Sequence, residues 1–332
     1  MADAKKDFRV IGLVLVACTL IFQVVPRIGI LICGALFYGG DRVAAGENFW
    51  VRAMPNYLVS FPLMLLLFAK LPGKIPEKRR LKLHQFLGGF TCSIGVTLTC
   101  NLIMTLLTAW IGSLLKTEIQ NRTLEILKQI DLSSGLIVVS LCAPIWEELI
   151  FRRMLITRTL KYGEGISILL SGLAFGLFHG NLIQSFYAFG LGLCLGYIFV
   201  KTGNVLYTIA IHLMINFNTS IILAGLYKMV DMPKYMELSE IYKKTSDSSE
   251  LIAHFFEHLG AFIMLYGCLA VMYLTALAGV ILLIVFHKRL RCAPGEVPIE
   301  KGNRFRTVFF NVGMILFVIF WIFIIIRQLL GI

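Results

Sequence analysis

Charged residues are scarce in this chain: Asp, Glu, Lys and Arg make up 15% of its 332 residues, where soluble domains carry about 25%. With 58% hydrophobic residues and a mean hydropathy of +0.82, little polar surface is left to clothe a water-soluble globule. None of the eight cysteines forms a C-x-x-C pair. Seven lie in apolar runs and Cys292 in a basic loop; they read as small core residues, with neither a disulfide framework nor a thiolate metal site indicated. An H-E-x-x-H helix is also missing, so the zinc-protease arrangement built on that helix does not apply. No internal repeat is evident, which leaves the inverted-repeat plan of many transporters without support.

What the chain does have is apolar length. A membrane-crossing helix needs about 20 mostly apolar residues. Runs of this kind lie near 10–38, 53–69, 86–115, 134–157, 163–179, 182–200, 203–227, 259–286 and 307–329. The expected fold is therefore all-α, a polytopic transmembrane helix bundle of about 8–9 spans, the short runs 53–69 and 163–179 making the count ambiguous. The first run contains Gln23, Pro26 and Arg27, where a kink or break is expected. It is too long for a cleaved signal peptide and reads as a retained anchor.

The net charge of +12 sits in short loops beside the apolar runs and gives no nucleic-acid signal. Twenty of the 31 lysines and arginines fall in alternate loops, at residues 5–9, 70–82, 152–161, 201 and 288–306. The positive-inside rule then places the N-terminus in the cytoplasm. The clusters at 70–82 and 288–306 are expected to meet anionic lipid headgroups. A compact chain without long cytosolic tails points to a bacterial cytoplasmic membrane.

Four regions follow. Residues 1–133 hold N-terminal spans and an interfacial segment, 117–132, where Ile119, Thr123, Ile126, Leu127 and Ile130 recur at helical spacing. Residues 134–227 carry the polar motifs. Residues 228–258, with Lys-Lys-Thr-Ser-Asp-Ser-Ser-Glu, read as an exposed outer loop. Residues 259–332 hold accessory spans without a buried acid.

The chemistry concentrates in the second region. Glu147 and Glu148 lie in an apolar run, where one ionisable side chain costs roughly 2.5–3.5 kcal/mol at a helix centre. Successive helical residues differ by about 100°, so the two acids do not share a face. Glu148 and Arg152 are spaced i, i+4 in the favourable acid-before-base order and read as a structural pair. Glu147 has no partner in its own helix and reads as the working acid. His179 ends Phe175-Gly-Leu-Phe-His, and His212 and Asn216 share one face of a later span. A lone histidine on an apolar helix is more often a hydrogen-bonded core residue than a functional one. Here three spans bring Glu, His and His-x-x-x-Asn to comparable depths. At about 1.5 Å per residue, Glu147 lies roughly 16 Å from its cytoplasmic end, His212 roughly 14 Å and His179 roughly 24 Å.

Glu-Glu-x-x-x-Arg at 147–152, Phe-x-x-x-His at 175–179 and His-x-x-x-Asn at 212–216, in this order on separate spans, resemble the three motifs of the CAAX-protease and bacteriocin-processing family, which includes the type II CAAX prenyl endopeptidases. The resemblance implies an intramembrane endopeptidase acting on a membrane-bound peptide or a lipidated or leader-bearing protein. It implies that Glu147 and His179 bind and activate water, that His212 and Asn216 stabilise the oxyanion, and that Glu148, Arg152 and Phe175 hold the site in shape. The favoured reading uses no cofactor. A zinc alternative, with Glu147, His179 and His212 as three ligands, stays open. So do a non-catalytic membrane scaffold of the same fold and a proton-coupled transporter, since buried acids and histidines also mark ion paths.

Overall fold

A computed structural model of the chain describes residues 2–115 and 131–330. Among the described residues, eight helices are long and apolar enough to cross a membrane. The fold is an all-α polytopic bundle. The interfacial segment expected at 117–132 lies outside the described residues, except that Asp131 caps the next helix by accepting the Ser134 backbone N–H at 2.8 Å.

We number the helices along the chain. α1 (Ala2–Phe37) is followed by the short α2 (Arg42–Glu47), then α3 (Phe49–Ala69) and α4 (Leu83–Leu115). The central group is α5 (Leu132–Tyr162), α6 (Glu164–Phe178), α7 (Leu182–Thr202) and α8 (Val205–Met229). α9 (Met232–Thr245) and α10 (Ser249–Glu257) precede α11 (Leu259–Phe286), α12 (Arg304–Phe309) and α13 (Val312–Leu330). Of the kink or break expected at Pro26, there is no break: α1 runs as one helix with Pro26 inside it. The nine apolar runs of the sequence all form helices. The fifth, α6, has 15 residues, about 22 Å long at the helical rise and short of the roughly 30 Å hydrocarbon slab.

Residues 228–258 depart from the sequence reading. They form α9 and α10 rather than an irregular loop. Their polarity was legible, but helix-supporting pairs sit inside it: Lys234 with Glu237 at 3.1 Å and Lys243 with Glu240, both at i, i+3.

The helices approach closely where side chains vanish. α1 and α13 cross at Gly12 and Gly313, where a Cβ on either would come within 2.3 Å of the other helix's backbone. Such small-residue crossings are how helices pack in lipid, where no hydrophobic force drives them together. An aromatic core then ties α1, α5, α6 and α13 together: the Phe178 ring lies 5.8 Å from Phe22, 5.3 Å from Phe151, 5.9 Å from Phe317 and 4.9 Å from Trp321.

All five basic loops converge on one end of the bundle. Lys161 reaches Asp7 at 2.6 Å, Lys74 pairs with Glu296, and Lys201 pairs with Glu164. Backbone bonds join the same segments, Lys74 N–H to Thr157 O and Arg79 N–H to Thr202 O, both 2.8 Å. Charge alternation along the sequence therefore corresponds to a physical polarity of the bundle.

Candidate active site

The acids sit on α5 at a break in its hydrogen-bond ladder. Pro144 has no N–H to give the turn before it, and π-helical stretches, Gly135–Cys142 and Leu149–Ile156, flank the α-helical segment Ala143–Glu148. Wide turns of this kind rotate side chains out of the regular register and recur at functional sites.

The rotation divides the two carboxylates. Glu148 and Arg152 are both 0% exposed, with Arg152 Nε 3.1 Å from Glu148 Oε2. The approach is off the donor axis, so it acts as an ion pair rather than a directed hydrogen bond. Arg152 gains two further supports. Its Nη1 donates to Ser171 Oγ at 3.3 Å, and its guanidinium lies 4.6 Å from the centre of the Phe175 ring. Glu147 keeps 20% of its side chain exposed. It is thus the carboxylate of the pair that a reactant can reach.

His212 stands between the acids. Its Nδ1 is 3.0 Å from Glu148 Oε1 and its Nε2 is 3.6 Å from Glu147 Oε2. Donation of Nδ1–H to Glu148 fixes the ring's orientation and leaves Nε2 facing Glu147, the arrangement by which a carboxylate orients a working imidazole. His179, at the end of α6, is held differently. Its Nδ1 lies 2.8 Å from Phe175 O. A carbonyl can only accept, so Nδ1 carries the hydrogen and Nε2 presents a lone pair. His179 makes no direct ion pair or hydrogen bond with Glu147. Phe175 joins the two histidines instead, meeting His179 edge-on at 4.9 Å and His212 at 5.6 Å.

The structure therefore links Glu147, Glu148, Arg152, Phe175, His179 and His212 through two adjoining rings, those of His212 and Phe175. Because α5 continues to Tyr162, Glu147 lies as many residues from that end as His179 lies from Glu164, which removes the mismatch expected between these two residues. Asn216, one turn beyond His212, donates its Nδ2 to Val139 O at 2.9 Å and so also ties α8 to α5. Ser140 and Ser220 repeat that tie, their hydroxyls 2.7 Å apart. No three His, Cys, Asp or Glu side chains among the described residues are grouped closely enough to hold a metal ion.

Several supporting residues were not singled out in the sequence. Ser171 carries Arg152 and in turn donates to Phe151 O at 2.8 Å; a serine in an apolar run was its only signal. Trp146 stacks on Phe61 of α3 at 5.8 Å with a 7° tilt, which walls the acid pair on one side. The turn after His179 is held from α13. Gly180 has φ +66°, and a Cβ there would lie 3.1 Å from the Trp321 ring. Trp321 is itself fixed by donating Nε1–H to Thr19 Oγ1 of α1 at 3.0 Å.

A multi-span helix bundle with a buried, charge-paired acid and histidine cluster defines an integral membrane protein whose polar groups are organised rather than merely tolerated. Residues 130–218, the stretch that carries the three motifs, match the model of the family described as Rce1-like, type II CAAX prenyl endopeptidase Rce1-like. No curated protein and no solved structure matches the chain.

Proposed function

We propose that the protein is an intramembrane endopeptidase that hydrolyses a membrane-associated peptide bond with water activated by Glu147. The observation that carries this reading is the position of His212, bonded to fully buried Glu148 at 3.0 Å and facing the accessible Glu147 at 3.6 Å. Burying three ionisable groups solely as packing is expensive, and here they orient an imidazole toward an acid that can be reached.

In this mechanism a water molecule rests between Glu147 and the Nε2 lone pair of His179. Glu147 takes a proton as the water oxygen bonds to the scissile carbonyl carbon. Negative charge forms on the carbonyl oxygen, where the second amide hydrogen of Asn216 donates to it, joined by His212 Nε2–H when both ring nitrogens carry hydrogen. The C–N bond then breaks, and the proton held by Glu147 passes to the leaving amine. Glu148, Arg152 and Phe175 act as positioning residues. The substrate class is a membrane-bound peptide, or a lipidated or leader-bearing protein, and the site is reached from the basic, cytoplasmic half of the bilayer. The same reading assigns no metal: cleavage is expected to persist after chelation, and loss of activity restored by zinc would make Glu147, His179 and His212 ligands instead.

The test compares membrane-associated peptides from cells carrying wild type or Glu147→Gln, followed by cleavage of the accumulated peptide by purified protein. Cleavage is expected to fall by about 10²–10⁴, the range of general acid–base assistance, with unchanged yield of folded protein. A Glu147→Gln protein that cleaves at the wild-type rate ends the proposal.

A further inference from the structure

The segment between α11 and α12 is fixed against the foot of α6. Glu164 N–H donates to Ala293 O at 3.1 Å, Ala293 N–H donates to the Glu164 carboxylate at 2.7 Å, and Val297 N–H donates to Lys161 O at 2.9 Å. Gly163 and Pro294 complete the contact as an antiparallel bridge. Between this strap, α6 and α12 lies a groove of about 560 Å³. Its apolar wall includes Ile166, Leu169, Val308 and Phe309, and its polar rim carries Lys301 and Arg304.

These two are the basic side chains that line the groove. At the same end, Lys74, Lys161, Lys201 and Arg79 each hold a carboxylate. Lys301 and Arg304 hold none among the described residues. Arg304 donates Nε–H to Ile299 O at 3.1 Å, which aims the guanidinium while leaving its two Nη groups available. The adjacent carboxylate, Glu300, is occupied by the Asn303 amide at 2.9 Å. α12 itself places Arg304 and Arg306 beside Phe305 and Phe309, and the chain then turns at Asn311 into α13. Cations above an apolar trough, at the end of a membrane bundle, match the order of parts in a phospholipid.

We propose that this groove binds one anionic glycerophospholipid, with its phosphate and acidic headgroup on Lys301 and Arg304 and an acyl chain along Leu169 and Val308. A zwitterionic headgroup brings its own cation to the same two positive groups and is disfavoured. The lipid sits at the foot of the helix whose other end carries His179, and it fills a gap the strap does not.

The full-length protein in detergent micelles is titrated with phosphatidylglycerol, phosphatidylcholine or inorganic phosphate, and retained lipid is read by native mass spectrometry alongside thermal stability. Wild type is expected to retain phosphatidylglycerol about 30-fold better than phosphatidylcholine, the product of two favourable basic contacts. The double variant Lys301→Gln/Arg304→Gln is expected to lose that preference. The control Lys78→Gln/Arg80→Gln removes the same charge from the same end and is expected to keep it. Leu169→Gln, which spares both cations, is expected to lower retention through the apolar wall. Three results overturn the proposal: undiminished preference in the Lys301/Arg304 variant, equal loss in the control, or stabilisation by inorganic phosphate matching that by the lipid.

Discussion

α7 and α11 are both long enough and apolar enough to cross a membrane, and they meet opposite fates. The most apolar window of α7 is 56% buried, and that of α11 is 11% buried. α7 packs between α6 and α4, close to the motif-bearing helices, while α11 leans on α4 and leaves most of its surface to lipid. The difference shows where this bundle can keep charge. A helix enclosed by others offers carbonyls, hydroxyls and rings to satisfy ionisable groups, as Ser171, Phe175 and His212 do for Arg152 and Glu148. A helix at the rim offers only lipid on most of its surface; the groups that satisfy the acids stand instead on α6 and α8, the enclosed neighbours of α7.

The comparison can be broken most forcefully at the enclosed ion pair. Glu148→Gln leaves Arg152 buried without its counter-charge and is expected to destabilise the protein by about 3–5 kcal/mol, read as a shift in unfolding in detergent. Wild-type stability in that variant would show that the pair does not hold the core. Trp321→Ala tests whether a rim helix can reach inward. Opening a space beside Phe178 and Gly180 is expected to cost about 3 kcal/mol and to lower kcat by displacing His179, while Trp321→Phe should recover most of the stability. An effect on stability with kcat intact would make Trp321 a packing residue alone.

Asn216→Ala is expected to lower kcat with KM little changed, because the interaction is made in the transition state; a rise in KM alone would place Asn216 in substrate binding. At the lower extreme stands Leu277→Ala on α11, whose side chain faces outward. It is expected to stay within about 0.5 kcal/mol of wild type, and a larger loss would mean that this face is covered by protein rather than lipid.

Much of the site was readable because its constraints are local. Glu148 and Arg152 meet through helical spacing alone, and His212 and Asn216 face one way for the same reason. What was not readable came from non-local packing. The hydrogen bond between His212 and Glu148 joins residues 64 positions apart. The Trp321–Thr19 bond joins residues 302 positions apart and fixes a turn that neither residue belongs to. The helices α9 and α10 were missed for a different reason: a polar segment can be solvated as loop or helix, and only the i, i+3 pairs favoured the helix.

The sequence by itself determined that this chain lives in a membrane, which loops share an end, and which few side chains had to be satisfied inside. Those properties follow from transfer free energies summed along the chain and need no knowledge of its path. Only the tertiary structure decided that Glu148 is sealed and Glu147 reachable, since both are glutamates on one helix. The π-helical turns around Pro144 and the placement of α8 separate them.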